Sequence, residues 1–192
     1  MSSQKLERFL EKFIFSPQLK EVENGNIKFI TSYSIVDGII DDSRIKKTSY
    51  NKDLKAYYVK KGDIIFQSKG YKFSSIIVDE DYEQTVVSQM YYILRIKKGY
   101  DSEYINWFLN SRIATEYFNQ VSTTGLTKFI SKRALLNLDI YNIFDELNNK
   151  KDTIVNLVKG FREEKELTLA YLREKEKLIN EKIIQNIEGE NK

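Results

Sequence analysis

The stretch DELNNKKDTIVNLVKGFREEKELTLAYLREKEKLINEKIIQNI (residues 145–187) decides the architecture of this chain. It contains no proline and a single glycine, Gly160, and its apolar residues recur in steps of three and four between charged residues. That period predicts a long α-helix with one apolar face. At a rise of 1.5 Å per residue the helix is about 60 Å long, more than the width of a compact domain formed by the preceding residues. Part of the apolar face must therefore pack against another molecule, either a second copy of the chain or a different protein.

The apolar face of this helix is predicted to be a dimerisation seam. Lys165 and Glu176 interrupt it, so polar residues are expected to help set the register at some cost in stability. The charged residues on the other faces form i,i+4 pairs worth only about 0.2–0.5 kcal/mol each, so specificity must come from the seam. The predicted seam residues are Ile154, Val158, Phe161, Leu169, Leu172, Ile179, Ile183 and Ile187.

Composition excludes most catalytic chemistry. The chain has 192 residues, no cysteine, no histidine and one proline, Pro17. Disulfides, zinc fingers, cysteine nucleophiles, Ser-His-Asp triads and histidine-ligated metals are therefore ruled out, and the sequence has no Gly-rich phosphate loop. We predict that the protein is not an enzyme and binds neither a metal nor a cofactor. With 41% hydrophobic residues, its length suits one domain with an appended arm.

Charge and hydropathy place the protein in the cytoplasm and limit how it binds nucleic acid. The N-terminus lacks the apolar core of a signal peptide, and no stretch approaches 18 uncharged apolar residues, so we expect no membrane association. The net charge is only +3. Binding to DNA would therefore depend on a local basic patch, helped by a partner or a second copy.

The residues before the long helix predict an α+β domain of short strands and two or three helices, without regular strand-helix alternation. The predicted domains are 1–144, 145–188 for the helix and 189–192 for a disordered tail. The predicted elements are a short helix over 3–14, strands within 27–36, 64–66, 73–78 and 86–96, a polar loop over 41–53, a helix from Asp101 or Ser102 through Phe118, a short helix capped by Ser131 and a strand over 138–141.

Three motifs then occur in a characteristic order. Lys61–Phe66 reads KGDIIF and leads into the loop Gln67–Gly70. Tyr104–Ser111 reads YINWFLNS, and 124–130 reads TGLTKFI ahead of a leucine-rich segment. With the long C-terminal helix, this order resembles the target recognition domain and spacer helix of the specificity (S) subunit of type I restriction-modification systems.

The resemblance implies a noncatalytic, sequence-specific DNA-binding subunit. Members of that family generally carry two recognition domains and two spacers, whereas this chain has one of each. It is therefore similar to a half-size S subunit that acts as a homodimer on a bipartite palindromic site. The implied partners are double-stranded DNA, a second copy of the chain, the adenine methyltransferase (M) subunits and, through them, the restriction (R) subunit.

Three polar loops are the predicted DNA contacts. Gln can bond adenine N6 and N7 at once, Lys can approach guanine O6 and N7, and hydroxyls with backbone amides hold phosphates. The predicted residues are Gln67, Ser68, Lys69, Tyr71 and Lys72 in the first loop, Thr123, Thr124, Thr127, Lys128, Lys132 and Arg133 in and after the second, and Arg44, Lys46 and Lys47 in the third.

Other interpretations remain open at the level of sequence. Each polar loop also fits a solvated turn without a ligand. The long helix alone fits a coiled-coil adaptor that binds another protein and never contacts DNA. A metal-dependent hydrolase would need carboxylates such as Asp63, Asp79, Glu80 and Asp81, although residues 79–83 fit an acidic turn better.

Overall fold

A computed structural model describes the backbone of residues 3–50, 52–141 and 151–190. The chain divides into two compact units, Met1–Val155 and Asn156–Lys192. The first unit mixes short strands with short helices, and a long helix forms the second. The predicted α+β class with a long C-terminal helix is therefore confirmed. No helix in these ranges is both long and apolar enough to cross a lipid bilayer.

The N-terminal segment is extended where the sequence predicts a helix over 3–14. Strand β1 (Ser3–Lys5) leads through a 3-10 turn (Leu6–Phe9) into strand β2 (Leu10–Phe15). Part of the helical spacing in the sequence is explained by the 3-10 turn, because Leu6 and Phe9 are three residues apart and are both buried by it. Backbone pairing of both flanking strands with distant strands then overrides the local helical pattern.

A four-stranded antiparallel sheet organises the first unit. Its strands are β7 (Ile64–Gln67), β9 (Ser75–Ile77) and β11 (Tyr91–Ile96), and its order is β2-β11-β7-β9. Ile64 and Phe66 face one buried cluster and Ile65 faces another, as expected for a strand covered on both sides. This sheet therefore forms the centre of the unit.

A three-stranded sheet joins segments that the sequence analysis kept apart. Strand β3 (Ile27–Ile30) pairs in parallel with β10 (Thr85–Val87) and antiparallel with β6 (Lys46–Thr48). The predicted single strand over 86–96 is thus wrong, because Ser88–Met90 separates β10 from β11. The predicted loop over 41–53 is likewise wrong, because it contains β6.

Three two-stranded ladders complete the strand pairing that the structure describes. Strand β13 (Asp139–Tyr141) pairs with β1. Strands β4 (Ile35–Val36) and β5 (Ile39–Ile40) form a hairpin, and Asp37 and Gly38 take positive φ at its predicted turn. Strand β8 (Lys69–Gly70) pairs with β12 (Lys128–Phe129).

The helical region between β11 and β12 contains two helices where one is predicted. Helix α1 (Ser102–Leu109) is capped by Asp101, and α2 (Arg112–Val121) by Ser111. Asn110 separates them, and its side chain accepts from the Ser75 N–H (3.0 Å) and donates to the Ser75 carbonyl (2.9 Å). The amide thereby satisfies the backbone of edge strand β9, which accounts for the break in the helix. Helix α3 (Lys132–Leu136) follows the predicted cap at Ser131.

The Gly-Asp turn has a structural role. Asp63 is almost fully buried, and its carboxylate accepts two hydrogen bonds of 2.8 Å from the Arg95 guanidinium on β11. It also accepts from the Lys60 N–H (2.9 Å). The hydrogen bond that Arg95 donates to Asp63 raises the pKa of Arg95. This pair therefore ties the entry of β7 to its neighbouring strand.

Replacing Asp63 with Asn is expected to destabilise the protein by about 3 kcal/mol, because removing one partner of a buried pair leaves the other charge uncompensated. Urea unfolding followed by circular dichroism measures this loss. Arg112→Gln is the matched control, since it breaks the exposed, solvent-screened pair with Glu116 and should leave the stability nearly unchanged. Equal losses in the two variants would contradict a structural role for Asp63.

The long helix α4 (Lys151–Glu190) forms the second unit from Asn156 onward. The predicted boundary between 144 and 145 lies outside the described residues. The described helix extends two residues past the predicted end at 188. Gly160, one of the two glycines within this range, has open space around it. An uninterrupted 40-residue helix agrees with the periodicity of the sequence.

Candidate nucleic-acid interface

The structure joins two of the three predicted contact loops. Strand β8 in the first loop pairs with β12 at the end of the second, with Lys128 opposite Gly70 and Phe129 opposite Lys69. We call residues 67–72 and 122–128 together the paired tip. Because Gln67 pairs with Tyr91, the tip lies at the end of the central sheet where β7 leaves it and β11 enters it. Two segments about fifty residues apart in sequence thus form one surface feature.

Ser68 is the anchor of the paired tip and is a correction to the predicted contact set. Its side chain is fully buried, and its N–H and hydroxyl both donate to the Met90 carbonyl at 2.8 and 3.0 Å. Its carbonyl accepts from the Ile130 N–H at 2.9 Å, and the Tyr92 hydroxyl donates to the Ile130 carbonyl at 3.0 Å. Ser68 therefore holds both loops on the sheet and is not accessible to DNA.

The second loop is closed by its own hydrogen bonds. Thr123 donates its N–H to the Phe129 carbonyl (3.1 Å), and its hydroxyl accepts from the Phe129 N–H (3.0 Å). Gly125 within the loop has a φ of 135°. In the first loop Gly70 has a φ of 142°, and a Cβ there would lie 2.6 Å from Gln67 Nε2. Both glycines are therefore required by the conformation of the tip.

The accessible side chains of the paired tip carry positive charge and hydroxyls. Lys69, Lys72 and Lys128 contribute three cations, and the tip contains no carboxylate. Thr124, Thr127, Tyr71 and Lys72 are exposed, whereas Lys69, Lys128 and Gln67 are half-buried. The Gln67 amide donates to the Lys69 carbonyl at 3.2 Å. This combination suits a surface that meets phosphates and base edges.

The basic residues after β12 extend the paired tip along the chain. Lys132 and Arg133 are exposed. The Lys132 ammonium lies 5.0 Å from the ring centroid of Phe13 and 5.7 Å from that of Phe15. Phe15 is itself exposed on edge strand β2. The sequence analysis missed this aromatic support, because residues 13 and 15 become neighbours of Lys132 only through the tertiary fold.

The third predicted loop differs from the paired tip because two of its cations are paired with nearby carboxylates. Arg44 pairs with Asp41 (3.2 Å) and Lys46 with Glu21 (3.1 Å). Both cations also lie over the exposed ring of Tyr33, at 5.2 and 5.0 Å from its centroid. These ion pairs and ring contacts join the third loop to Asp41, Glu21 and Tyr33, and none of them involves the paired tip. Lys47 is exposed and accepts from the Val22 N–H through its carbonyl.

The predicted seam residues of α4 are mostly open to solvent in the single chain. Phe161, Leu172, Ile179 and Ile183 are between half and two-thirds exposed, and Val158 and Leu169 are half-buried. Ile154 belongs to the first unit, where it packs against the main core beside buried Val155. The side chain of Ile187 lies outside the described residues. In a protein in water, an exposed apolar line of this kind is typical of an interaction surface.

A second apolar line runs along α4, and the sequence analysis did not identify it. At 3.6 residues per turn it lies roughly a third of a turn from the seam. Its successive members are ten, four and seven residues apart. This spacing also follows helical periodicity, so the sequence alone could have revealed the line. Its members are all more than half exposed, namely Leu157, Leu167, Tyr171 and Leu178. The helix thus offers apolar surface in two directions.

No group of three or more metal-ligating side chains occurs among the described residues. Asp63, one carboxylate that a hydrolase would need, is bound to Arg95. Its burial leaves it no access to a substrate.

Comparison with known proteins identifies the fold. No protein-family model matches the chain, and no curated protein matches it in sequence. Among solved structures, the type I restriction-modification S subunit from M. genitalium matches with a TM-score of 0.56 and 13% identity, over 84% of this chain and 39% of that one. The HsdS subunit from Thermoanaerobacter tengcongensis matches with 0.56 and 12%, over 85% and 37%.

A third match, from a structure of type I R-M complex assembly and conformational transition, has a TM-score of 0.56 and 15% identity over 85% of this chain and 38% of that one. The chain therefore has the fold of type I S subunits. It spans less than two-fifths of the length of the S subunits it matches.

Proposed function

We propose that this protein is a noncatalytic DNA-recognition subunit that acts in a type I restriction-modification complex. The first unit reads a short half-site, the long helix pairs with that of a second copy, and the dimer directs adenine methyltransferase subunits and, through them, a restriction subunit to the site. The observation that carries the proposal is the paired tip, because the β8–β12 ladder places two independently predicted contact loops on one cationic projection.

The dimensions of the paired tip support reading of the major groove. That groove is about 12 Å wide and admits a two-stranded β-ribbon. Neighbouring strands are about 4.8 Å apart, so the β8–β12 ribbon has a suitable width. Lys69, Lys72 and Lys128 would supply phosphate contacts, and Gln67, Thr124 and Thr127 would offer hydrogen bonds to bases or phosphates.

The helix supports a dimeric reader. A twofold axis through paired seams would present two copies of the tip to one duplex in inverted orientation. The recognised sequence is then an interrupted palindrome with one half-site for each copy. The seam supplies the dimer contact, and the second apolar line supplies surface for the methyltransferase subunit.

Replacing Leu167 and Leu178 with Glu is expected to preserve the dimer and to weaken methyltransferase binding by at least about tenfold, because buried charge replaces apolar contact. Light scattering gives the mass of the protein, and co-purification with isothermal titration gives the affinity for the methyltransferase subunit. Loss of the dimer with unchanged methyltransferase affinity would contradict this assignment of the two lines.

Selection from a random duplex library tests the function directly. The full chain, alone and with a type I adenine methyltransferase subunit, is used to enrich duplexes, and anisotropy compares enriched with scrambled sequences. We expect specific binding at least about 10³-fold tighter than binding to scrambled duplex. Equal affinity for both duplexes in both preparations would exclude DNA reading and would favour a coiled-coil adaptor.

A further inference from the structure

The paired tip carries an apolar feature that its charge does not explain. Leu126 is 87% exposed and Tyr71 is 83% exposed. These are the two largest exposed fractions among the large hydrophobic side chains that the structure describes. Leu126 follows Gly125, and Tyr71 follows Gly70. Each apolar side chain is therefore held out at the end of a loop whose conformation depends on glycine.

Both side chains leave the same end of the ribbon. Gly70 pairs with Lys128, so the chain continues outward to Tyr71 on one strand and back through Thr127 to Leu126 on the other. The surrounding charge is positive, with Lys72 next to Tyr71 and Lys128 two residues after Leu126. An apolar side chain surrounded by positive charge suits a binding partner that is a polyanion and also carries apolar groups. An ordinary protein surface fits this combination less well.

Duplex DNA offers one exposed apolar group in the groove that accepts a β-ribbon, the C5-methyl of thymine. We propose that Leu126, with Tyr71 beside it, recognises thymine methyl groups in the major groove and so contributes to the sequence specificity of the paired tip. This inference rests on the proposed function and adds a chemical preference to it. The lysines then hold the tip in register through phosphate contacts, and the two apolar side chains supply part of the sequence selectivity.

Uracil substitution tests the inference. In the enriched duplex, every thymine of the half-site is replaced by deoxyuridine, which removes only the methyl group. We expect the affinity of the full chain to fall about fourfold for each methyl contacted, the fold-change that corresponds to about 0.8 kcal/mol per buried CH₂. Leu126→Ala should bind the thymine duplex about tenfold more weakly and should lose most of the uracil penalty.

The controls separate recognition from folding. Leu126→Met keeps an apolar side chain and should retain most of the uracil penalty. Ile113→Ala removes an exposed aliphatic group outside the tip and should change the affinity for neither the thymine duplex nor the uracil duplex. Because Leu126 is exposed, its variants should melt at the wild-type temperature. A uracil penalty of equal size in wild type, Leu126→Ala and Tyr71→Ala would overturn the inference.

Four further outcomes have defined meanings. Specific binding that is indifferent to uracil, or an enriched half-site without thymine, overturns the inference and leaves the proposed function standing. Specific binding that a minor-groove ligand blocks also overturns it, because the tip would then occupy the other groove. The absence of any sequence preference defeats the proposed function itself.

Discussion

Replacing Ile179 and Ile183 with Glu is expected to abolish the proposed homodimer and to leave a monomer. Both side chains lie on the seam and are about half exposed in the single chain. In a symmetric dimer the change affects four side chains, each contributing at least about 1.5 kcal/mol when buried, so the dimer loses about 6 kcal/mol before charge repulsion is counted. The dissociation constant should rise more than about 10⁴-fold. Light scattering coupled to size exclusion measures the mass.

The same variant should bind DNA more weakly, because two linked half-site readers lose their effective concentration when they separate. We expect affinity for the bipartite site to fall by about 10²-fold or more. Arg173→Gln with Lys177→Gln is the matched control, since it changes the net charge equally on a face away from both apolar lines. A dimeric mass for the Glu variant, or a monomeric wild type at high concentration, would contradict the seam.

Replacing Lys69, Lys72 and Lys128 together with Gln is expected to lower DNA affinity by about 10²-fold at physiological salt, because each phosphate contact releases a counterion. The loss should be similar for specific and scrambled duplexes. The slope of log K against log salt should become less steep by almost three, about one for each lysine. Anisotropy titrations at several salt concentrations measure both quantities.

The control for this triple variant uses lysines at the opposite end of the central sheet. Lys60 and Lys61 precede β7, and Lys98 follows β11, whereas the tip lies where β7 ends and β11 begins. All three are exposed. Their replacement with Gln changes the net charge by the same amount and should leave the salt slope nearly unchanged. Equal effects of the two variants would indicate binding by overall charge and not by the tip.

Local signals in the sequence predicted the features that depend on neighbouring residues. The long helix follows from the spacing of its apolar residues. The cap at Asp101, one of the two residues predicted for that position, and the cap at Ser131 follow from side chains that accept from nearby N–H groups. The turn at Asp37 and Gly38 follows from residues that tolerate positive φ. In each case the deciding interaction spans only a few residues.

Features set by distant residues were missed. The segment over 3–14 has helical spacing, yet pairing of β1 with β13 and of β2 with β11 makes most of it extended. The first and second contact loops were predicted separately, and nothing local indicates that Gly70 pairs with Lys128. Ser68 fits a polar loop residue in sequence, and only the fold reveals that it is buried beneath both loops.

The layout of the enriched DNA sequence tests the central claim most directly, namely that two copies of one reader are joined through α4. Duplexes selected by the full chain together with a type I methyltransferase subunit are sequenced and aligned. The account predicts two short half-sites in inverted orientation at one fixed separation, and loss of that fixed separation with the Ile179→Glu, Ile183→Glu variant. A single undivided site, or half-sites repeated in the same orientation, would contradict it.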